Sequence, residues 1–128
     1  DTLPKRKEIF EIYSKELNKY EWSIIPVFND YKRESSYHLY LLRVKGISLE
    51  TRNQIIQDIF AQDVSVNVHY KPLPLLSYYK SLGYQMENYP NAKFLWENEI
   101  SLPVYYDLSI ENVYAIIRAV VSSVESNI

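Results

Sequence analysis

The stretch Val64-Ser65-Val66-Asn67-Val68-His69-Tyr70 constrains this chain more than any other feature of its sequence. It alternates strictly: Val64, Val66, Val68 and Tyr70 share one face of an extended segment, and Ser65, Asn67 and His69 share the opposite, polar face. A strand of this kind is half buried, and its valine face needs helices to cover it. A slip of one residue would expose every valine, so the pattern also fixes which side chains point outward. Lys71-Pro72-Leu73-Pro74 then stops the strand, because proline has no N–H to give to a ladder.

The segments on either side supply the covering helices. From Leu3 to Tyr20, Phe10, Tyr13 and Leu17 recur at helical spacing, widened by Ile9 and Ile12, with Thr2 as cap and Pro4 in the first turn. Ser23 to Phe28 is short and interrupted by Pro26, which suits an edge strand or loop, and Asn29 to Ser36 is a polar loop. Tyr37 to Val44 reads as a central strand, apolar on both faces, with Tyr37, Leu39 and Leu41 opposite His38, Tyr40, Leu42 and Val44. Ser48 caps a helix with Glu50 in its first turn and a stripe of Ile55, Ile56, Ile59 and Phe60. Leu75 to Leu82 is a short helical turn ended by Gly83. Pro90 to Glu99 is a helix carrying Ala92, Leu95 and Trp96, and Leu102 to Tyr106 is extended. Ser109 caps the last helix, with Glu111 in its first turn and an apolar stripe of Val113, Ile116, Ile117, Val120 and Val124. No internal repeat or low-complexity segment interrupts this order. The expectation is an α+β sandwich, a small and mostly antiparallel sheet with helices on one face.

A chain of 128 residues fits one such domain. With 47% hydrophobic and 23% charged residues, it has the composition of a soluble globular protein rather than a disordered chain, a collagen or a disulfide scaffold. Its formal charge of -2 argues against nucleic acid as a partner. Tyrosine stacking platforms for a single strand would need a basic groove that this balance does not provide. No apolar run is long enough for a membrane span, and the start from Asp1 to Lys7 lacks the pattern of a signal peptide. The lack of an initiator Met fits a processed product or an excised fragment. The absence of cysteine is compatible with a cytoplasmic location and removes thiol nucleophiles and cysteine–zinc sites. Two glycines, Gly46 and Gly83, are too few for a glycine-rich phosphate loop. The run Lys5-Arg6-Lys7 reads as a solvated helix face.

Little in the chain is a self-contained catalytic apparatus. The two histidines form no metal-binding spacing, no Gly-x-Ser-x-Gly elbow supports a triad, and the carboxylates are scattered. His69 stands out because it closes a strand on the polar face, followed by Tyr70, Lys71 and a proline-fixed loop that places side chains reproducibly. Spacing alone also allows a His69 that faces solvent or bonds a neighbouring loop. His38, among apolar neighbours, fits a satisfied core or interface histidine. The 13 tyrosines suit half-exposed surfaces, which leaves open a non-catalytic interaction domain that binds a protein partner through them.

Several segments in order carry a resemblance. They are Ser36-Tyr37-His38-Leu39-Tyr40, Val68-His69-Tyr70-Lys71-Pro72, Tyr79-Lys80-Ser81-Leu82-Gly83-Tyr84, Pro90-Asn91-Ala92 and Ser101-Leu102-Pro103-Val104-Tyr105. The series resembles the C-terminal small domain of the DegT/DnrJ/StrS family of sugar aminotransferases, over nearly the whole chain. The resemblance implies the small domain of an aspartate-aminotransferase-like pyridoxal-phosphate enzyme. Such an enzyme moves an amino group, usually from glutamate, to a keto group of a nucleotide-linked sugar in cell-surface polysaccharide or related aminosugar synthesis. It implies a homodimer in which the cofactor and its Schiff-base lysine belong to a large N-terminal domain that residues 1–128 do not include.

On this reading residues 1–20 form the connector helix and residues 21–128 the sandwich, and these residues alone bind no cofactor and have no catalytic residue. The resemblance places His69, Tyr70 and Lys71, and more weakly His38, toward the substrate, with Lys71 near the diphosphate. Gln62-Asp63-Val64-Ser65 departs from the family pattern, which has a glycine-containing turn there, and this bears on substrate specificity.

Overall fold

The computed structural model describes residues 2–128; Asp1, the first residue of the expected connector, lies outside the described residues. Helix α1 runs over Leu3–Leu17, α2 over Leu49–Phe60, α3 over Ser77–Ser81, α4 over Pro90–Glu97 and α5 over Ile110–Glu125. Three strands, β1 (Ser23–Ile24), β2 (Tyr40–Val44) and β3 (Glu99–Leu102), form an antiparallel sheet in the order β1-β2-β3. The fold is α+β, with β2 in the centre as its sequence predicts.

The core lies between one face of this sheet and α1, α2 and α5. Tyr40, Leu42 and Val44 of β2 and Ile100 and Leu102 of β3 face it. Ile9, Phe10, Tyr13 and Leu17 of α1 meet them, with Ile55 and Ile59 of α2 and Val113, Val120 and Val124 of α5. Three edge-to-face ring contacts of Phe10, with Phe28, Tyr37 and Tyr40, fill the β1 end. Buried tyrosines keep their hydroxyls bonded. Tyr13 donates to the Pro103 carbonyl at 2.9 Å, and the Tyr40 hydroxyl lies 3.0 Å from Ser14 Oγ. Burial pushes the Tyr13 hydroxyl far above its usual range, and that of Tyr40 up to about 12. The helix caps at Ser48 and Ser109 form as expected, accepting from the Thr51 and Asn112 N–H groups at 3.1 Å each. Gly83 ends the α3 turn at φ +87°.

The fold departs from the sequence reading in several places. Residues 64–70 do not form a strand. Val66 is buried and Val64 and Val68 half-buried, but among the described residues this segment's only bridge is Asn67 to Ser101, whose amide and carbonyl groups exchange bonds of 2.8 and 3.2 Å. The ladder cannot continue in either direction. Pro103 has no N–H where residue 65 would need one, and the His69 N–H is taken by the Glu99 carboxylate at 3.0 Å. Tyr70 is 73% exposed instead of facing the helices.

Tyr37 and His38 also exchange places. Tyr37 has φ +52°, which resets the alternation, so Tyr37 is buried and His38 is exposed. What holds Tyr37 there is its hydroxyl, 2.9 Å from Glu34 Oε1 and within hydrogen-bond distance of the Asn29 side chain. The helix expected over Pro90 to Glu99 ends at Glu97, and strand β3 covers Glu99–Leu102, ahead of the extended segment expected over Leu102 to Tyr106. Thr2 occupies the cap position of α1, but its side chain makes no capping bond. Phe60 is 43% exposed rather than part of the α2 stripe. The Lys5 and Lys7 side chains remain partly exposed on the helix face and pair at the surface with Glu8 and Glu34.

The phase of β2 is directly testable by urea denaturation. Leu42→Ala is expected to cost about 2–5 kcal/mol through a core cavity. His38→Ala is expected to change stability by no more than about 0.5 kcal/mol. Comparable losses from the two would contradict the phase described.

Candidate functional site

The β2–β3 register puts the polar residues of both strands on the face away from the core. Arg43 lies opposite Glu99, and Leu41 opposite Ser101. The alternation Glu99-Ile100-Ser101-Leu102 sends Ile100 and Leu102 inward, so Glu99 and Ser101 must face outward. They are nevertheless only 4% exposed each, because α4 and residues 69–72 border the same face. Between them lies a cleft of about 280 Å3, lined by Arg43, Glu99, His69, Tyr70, Leu95 and Trp96 among others.

His69 is bound to this floor at two points. Its N–H donates to Glu99 Oε2 at 3.0 Å, and its ring Nδ1 lies 2.8 Å from Ser101 Oγ. Ser101 Oγ in turn donates to Glu99 Oε1. Arg52 of α2 donates to the Glu99 carbonyl at 3.2 Å and lays its guanidinium over the Trp96 ring, 5.6 Å from the centroid. Burial holds the Glu99 carboxyl above the usual carboxylate range. The bonds from Ser101 and the His69 N–H, then the positive charges of Arg52 and Arg43, pull against that shift.

Of the four residues singled out by sequence, the structure brings His69 and Tyr70 to the cleft, their rings in edge-to-face contact at 4.7 Å. Lys71 is exposed, with Pro72 beside it turning back to the cleft. His38 is exposed on the loop before β2, not a satisfied core residue. The sequence reading missed Glu99, Ser101 and Arg43. The sequence pattern extends the preceding helix to Glu99, and the short alternation at residues 99–102 is the signal that points the other way.

An apolar pocket of about 370 Å3 adjoins the cleft and shares Pro72 and Ala92 with it. Tyr79, Tyr84 and Tyr89 form its other wall. Leu73 also lines it, and Tyr78, Leu82 and Phe94 of the same stretch of chain are exposed. Among the described residues no group of His, Asp and Glu is placed to hold a metal ion, and no helix is long and apolar enough to cross a membrane.

Comparison with known proteins gives consistent matches. The sequence model of the DegT/DnrJ/EryC1/StrS aminotransferase family matches residues 1–121. The structure superimposes on a Streptococcus pneumoniae protein assigned as a sugar aminotransferase, in its PMP form, with a TM-score of 0.95 and 42% identity. That match covers 99% of this chain and 32% of the other. A Campylobacter jejuni UDP-4-amino-4,6-dideoxy-N-acetyl-beta-L-altrosamine transaminase is 29% identical over 110 residues, covering 86% of this chain and 29% of that protein. The Bacillus subtilis spore coat polysaccharide biosynthesis protein SpsC is 29% identical over 125 residues, covering 94% and 31%. The chain therefore spans about a third of the length of the relatives it matches.

The buried Glu99 carboxyl makes a pH prediction. Its folded pKa lies above its unfolded one, so the folded state holds the proton more tightly. That stability is present below the ordinary carboxylate range and lost as pH rises through the folded pKa. Glu99→Gln cannot ionise. Its melting temperature is therefore expected to fall less than the native chain's between mildly acidic and neutral pH. An unchanged difference between the two proteins across this window would contradict the assignment.

Proposed function

We propose, for a chain that belongs to the DegT/DnrJ/EryC1/StrS aminotransferase family, that it is the small domain of a pyridoxal-phosphate-dependent sugar aminotransferase. The observation that carries this reading is the superposition of 99% of the chain on one third of a sugar aminotransferase in its PMP form. The reaction is transfer of an amino group from a donor such as glutamate to a keto group of a nucleotide-linked sugar. The transaminase named for the Campylobacter jejuni relative supports a UDP-linked sugar as the acceptor.

The residues described here do not fit the cofactor. A Schiff-base lysine needs a shielded position beside a phosphate cradle. Lys15, Lys19, Lys32, Lys45, Lys71 and Lys80 are exposed, and the half-buried Lys5, Lys7 and Lys93 each face a carboxylate. Gly46 and Gly83 lie in open turns with nothing close to their backbone. This setting supports a cofactor site on a large domain outside residues 1–128. The exposed tyrosine- and leucine-rich face from Leu73 to Leu95 supports cover by that domain or by a second subunit, since apolar surface of this extent marks an interaction site.

Within that arrangement the His69 corner is this chain's contribution to the substrate cleft. His69 and Tyr70 stand at its edge, and Lys71 is free to approach the diphosphate. The family's reaction calls for no residue of this chain to form a covalent bond. Its part is to bind and orient the sugar.

The test has two arms. The 128-residue chain, given pyridoxal phosphate, is expected to show no Schiff-base absorbance band and no lysine fixed by borohydride. The longer protein that carries it is expected to aminate a UDP-linked keto sugar with glutamate. There, His69→Ala is expected to raise the sugar KM by about two- to tenfold, the loss of one hydrogen bond of about 0.5–1.5 kcal/mol, while cofactor binding is unchanged. A stoichiometric band on the isolated chain, or unaltered sugar kinetics in a folded His69→Ala variant, would contradict the reading.

A further inference from the structure

The relay beneath His69 has more order than a substrate contact requires. Ser101 Oγ has one proton to give, and it stands between Glu99 Oε1 and His69 Nδ1. An ionised carboxylate only accepts, so Ser101 donates to Glu99. With its proton committed, Ser101 can only accept from His69, which requires the proton on Nδ1. A neutral imidazole carries one N–H, so Nε2 is then a bare acceptor.

The same carboxylate fixes the backbone, since Glu99 Oε2 accepts from the His69 N–H. The paired amides of Asn67 and Ser101 hold the two segments in register. Glu99 and Ser101 are both buried on a strand rather than on a loop, so the relay is built on a rigid element. Among the described residues nothing accepts from or donates to Nε2, and the His69 ring borders the cleft.

Resting on the reading that this corner faces the substrate, we propose that Glu99 and Ser101 are positioning residues that hold His69 in the Nδ1–H tautomer. Nε2 is thereby presented to the cleft as a hydrogen-bond acceptor, selective for a hydroxyl or ammonium group of the bound sugar. Carbonyl and phosphate oxygens, which cannot donate, are disfavoured at this point. The Tyr70 ring stands edge-on to the His69 ring at 4.7 Å.

The experiment is 15N-resolved NMR of the imidazole rings in the 128-residue chain at neutral pH. Only two histidines are present, so a His38→Gln variant assigns the signals. The native chain is expected to show His69 as the Nδ1–H tautomer. Ser101→Ala is expected to release it to a tautomer mixture, and Ser101→Thr, which keeps the hydroxyl, to restore it. Glu99→Gln, whose amide cannot accept from both Ser101 and the His69 N–H, is also expected to release it. Circular dichroism checks that each variant is folded, and the Ser101 pair decides the matter if Glu99→Gln is not. A native Nε2–H tautomer, or one indifferent to Ser101→Ala, would overturn the relay.

The second readout is kinetic, in the longer protein. Ser101→Ala is expected to raise the sugar KM by about two- to tenfold with kcat little altered, and Ser101→Thr to recover most of that loss. A pinned tautomer combined with an unmoved KM would overturn the placement of this corner in the substrate cleft while leaving the relay within the chain standing.

Discussion

The antiparallel register of Arg43 with Glu99 and Leu41 with Ser101 is the constraint on which the rest of the molecule depends. Because side chains alternate along a strand, one register decides two environments at once. It sends Tyr40, Leu42, Val44, Ile100 and Leu102 into the helix-covered core. It also leaves Arg43, Glu99 and Ser101 together on the other face, under α4 and the His69 corner. A shift of one residue would bury a carboxylate and a guanidinium among α1, α2 and α5, at a cost far beyond what the core gains. The core's apolar pattern therefore holds the polar cluster in place, and the site follows from the packing rather than from a separate device.

Much of the scaffold was legible in the sequence. The α5 stripe and the Ser48 and Ser109 caps depend on local periodicity and on one side chain's reach, and both are visible without tertiary information. The centrality of β2 was legible because both its faces are apolar. What was not legible depends on distant partners. The apparent strand at residues 64–70 lost its ladder to a proline at residue 103 and to a carboxylate at residue 99, neither of which lies in the segment itself. Tyr37 takes a left-handed backbone because Asn29 and Glu34 capture its hydroxyl, and a period-two pattern carries no sign of that. His69 was found because it ends an alternating run. Glu99 was missed because its neighbours on the amino side are helical, and the two-residue alternation after it is too short to outweigh them.

The chain's surface and its relatives bear on one another. The chain spans about a third of the length of the relatives it matches, and it exposes large apolar side chains such as Tyr78, Leu82 and Phe94. The rings of Tyr79, Tyr84 and Tyr89 line the apolar pocket that adjoins the cleft His69 borders. On the proposed reading one surface does two tasks. Its apolar part docks against the cofactor-holding domain or a second subunit, and its polar corner closes over the sugar. That division accounts for a chain rich in tyrosine, a residue that packs by its ring and bonds by its hydroxyl.

The most direct measurement is a crystal structure of the longer protein with pyridoxal phosphate and a UDP-linked sugar bound. The account places the His69 imidazole within about 2.7–3.2 Å of a hydroxyl or amino group of the sugar, its Nδ1 still on Ser101 and Ser101 still on Glu99. A structure in which His69 is sealed in a domain or subunit interface, away from both sugar and cofactor, would contradict it.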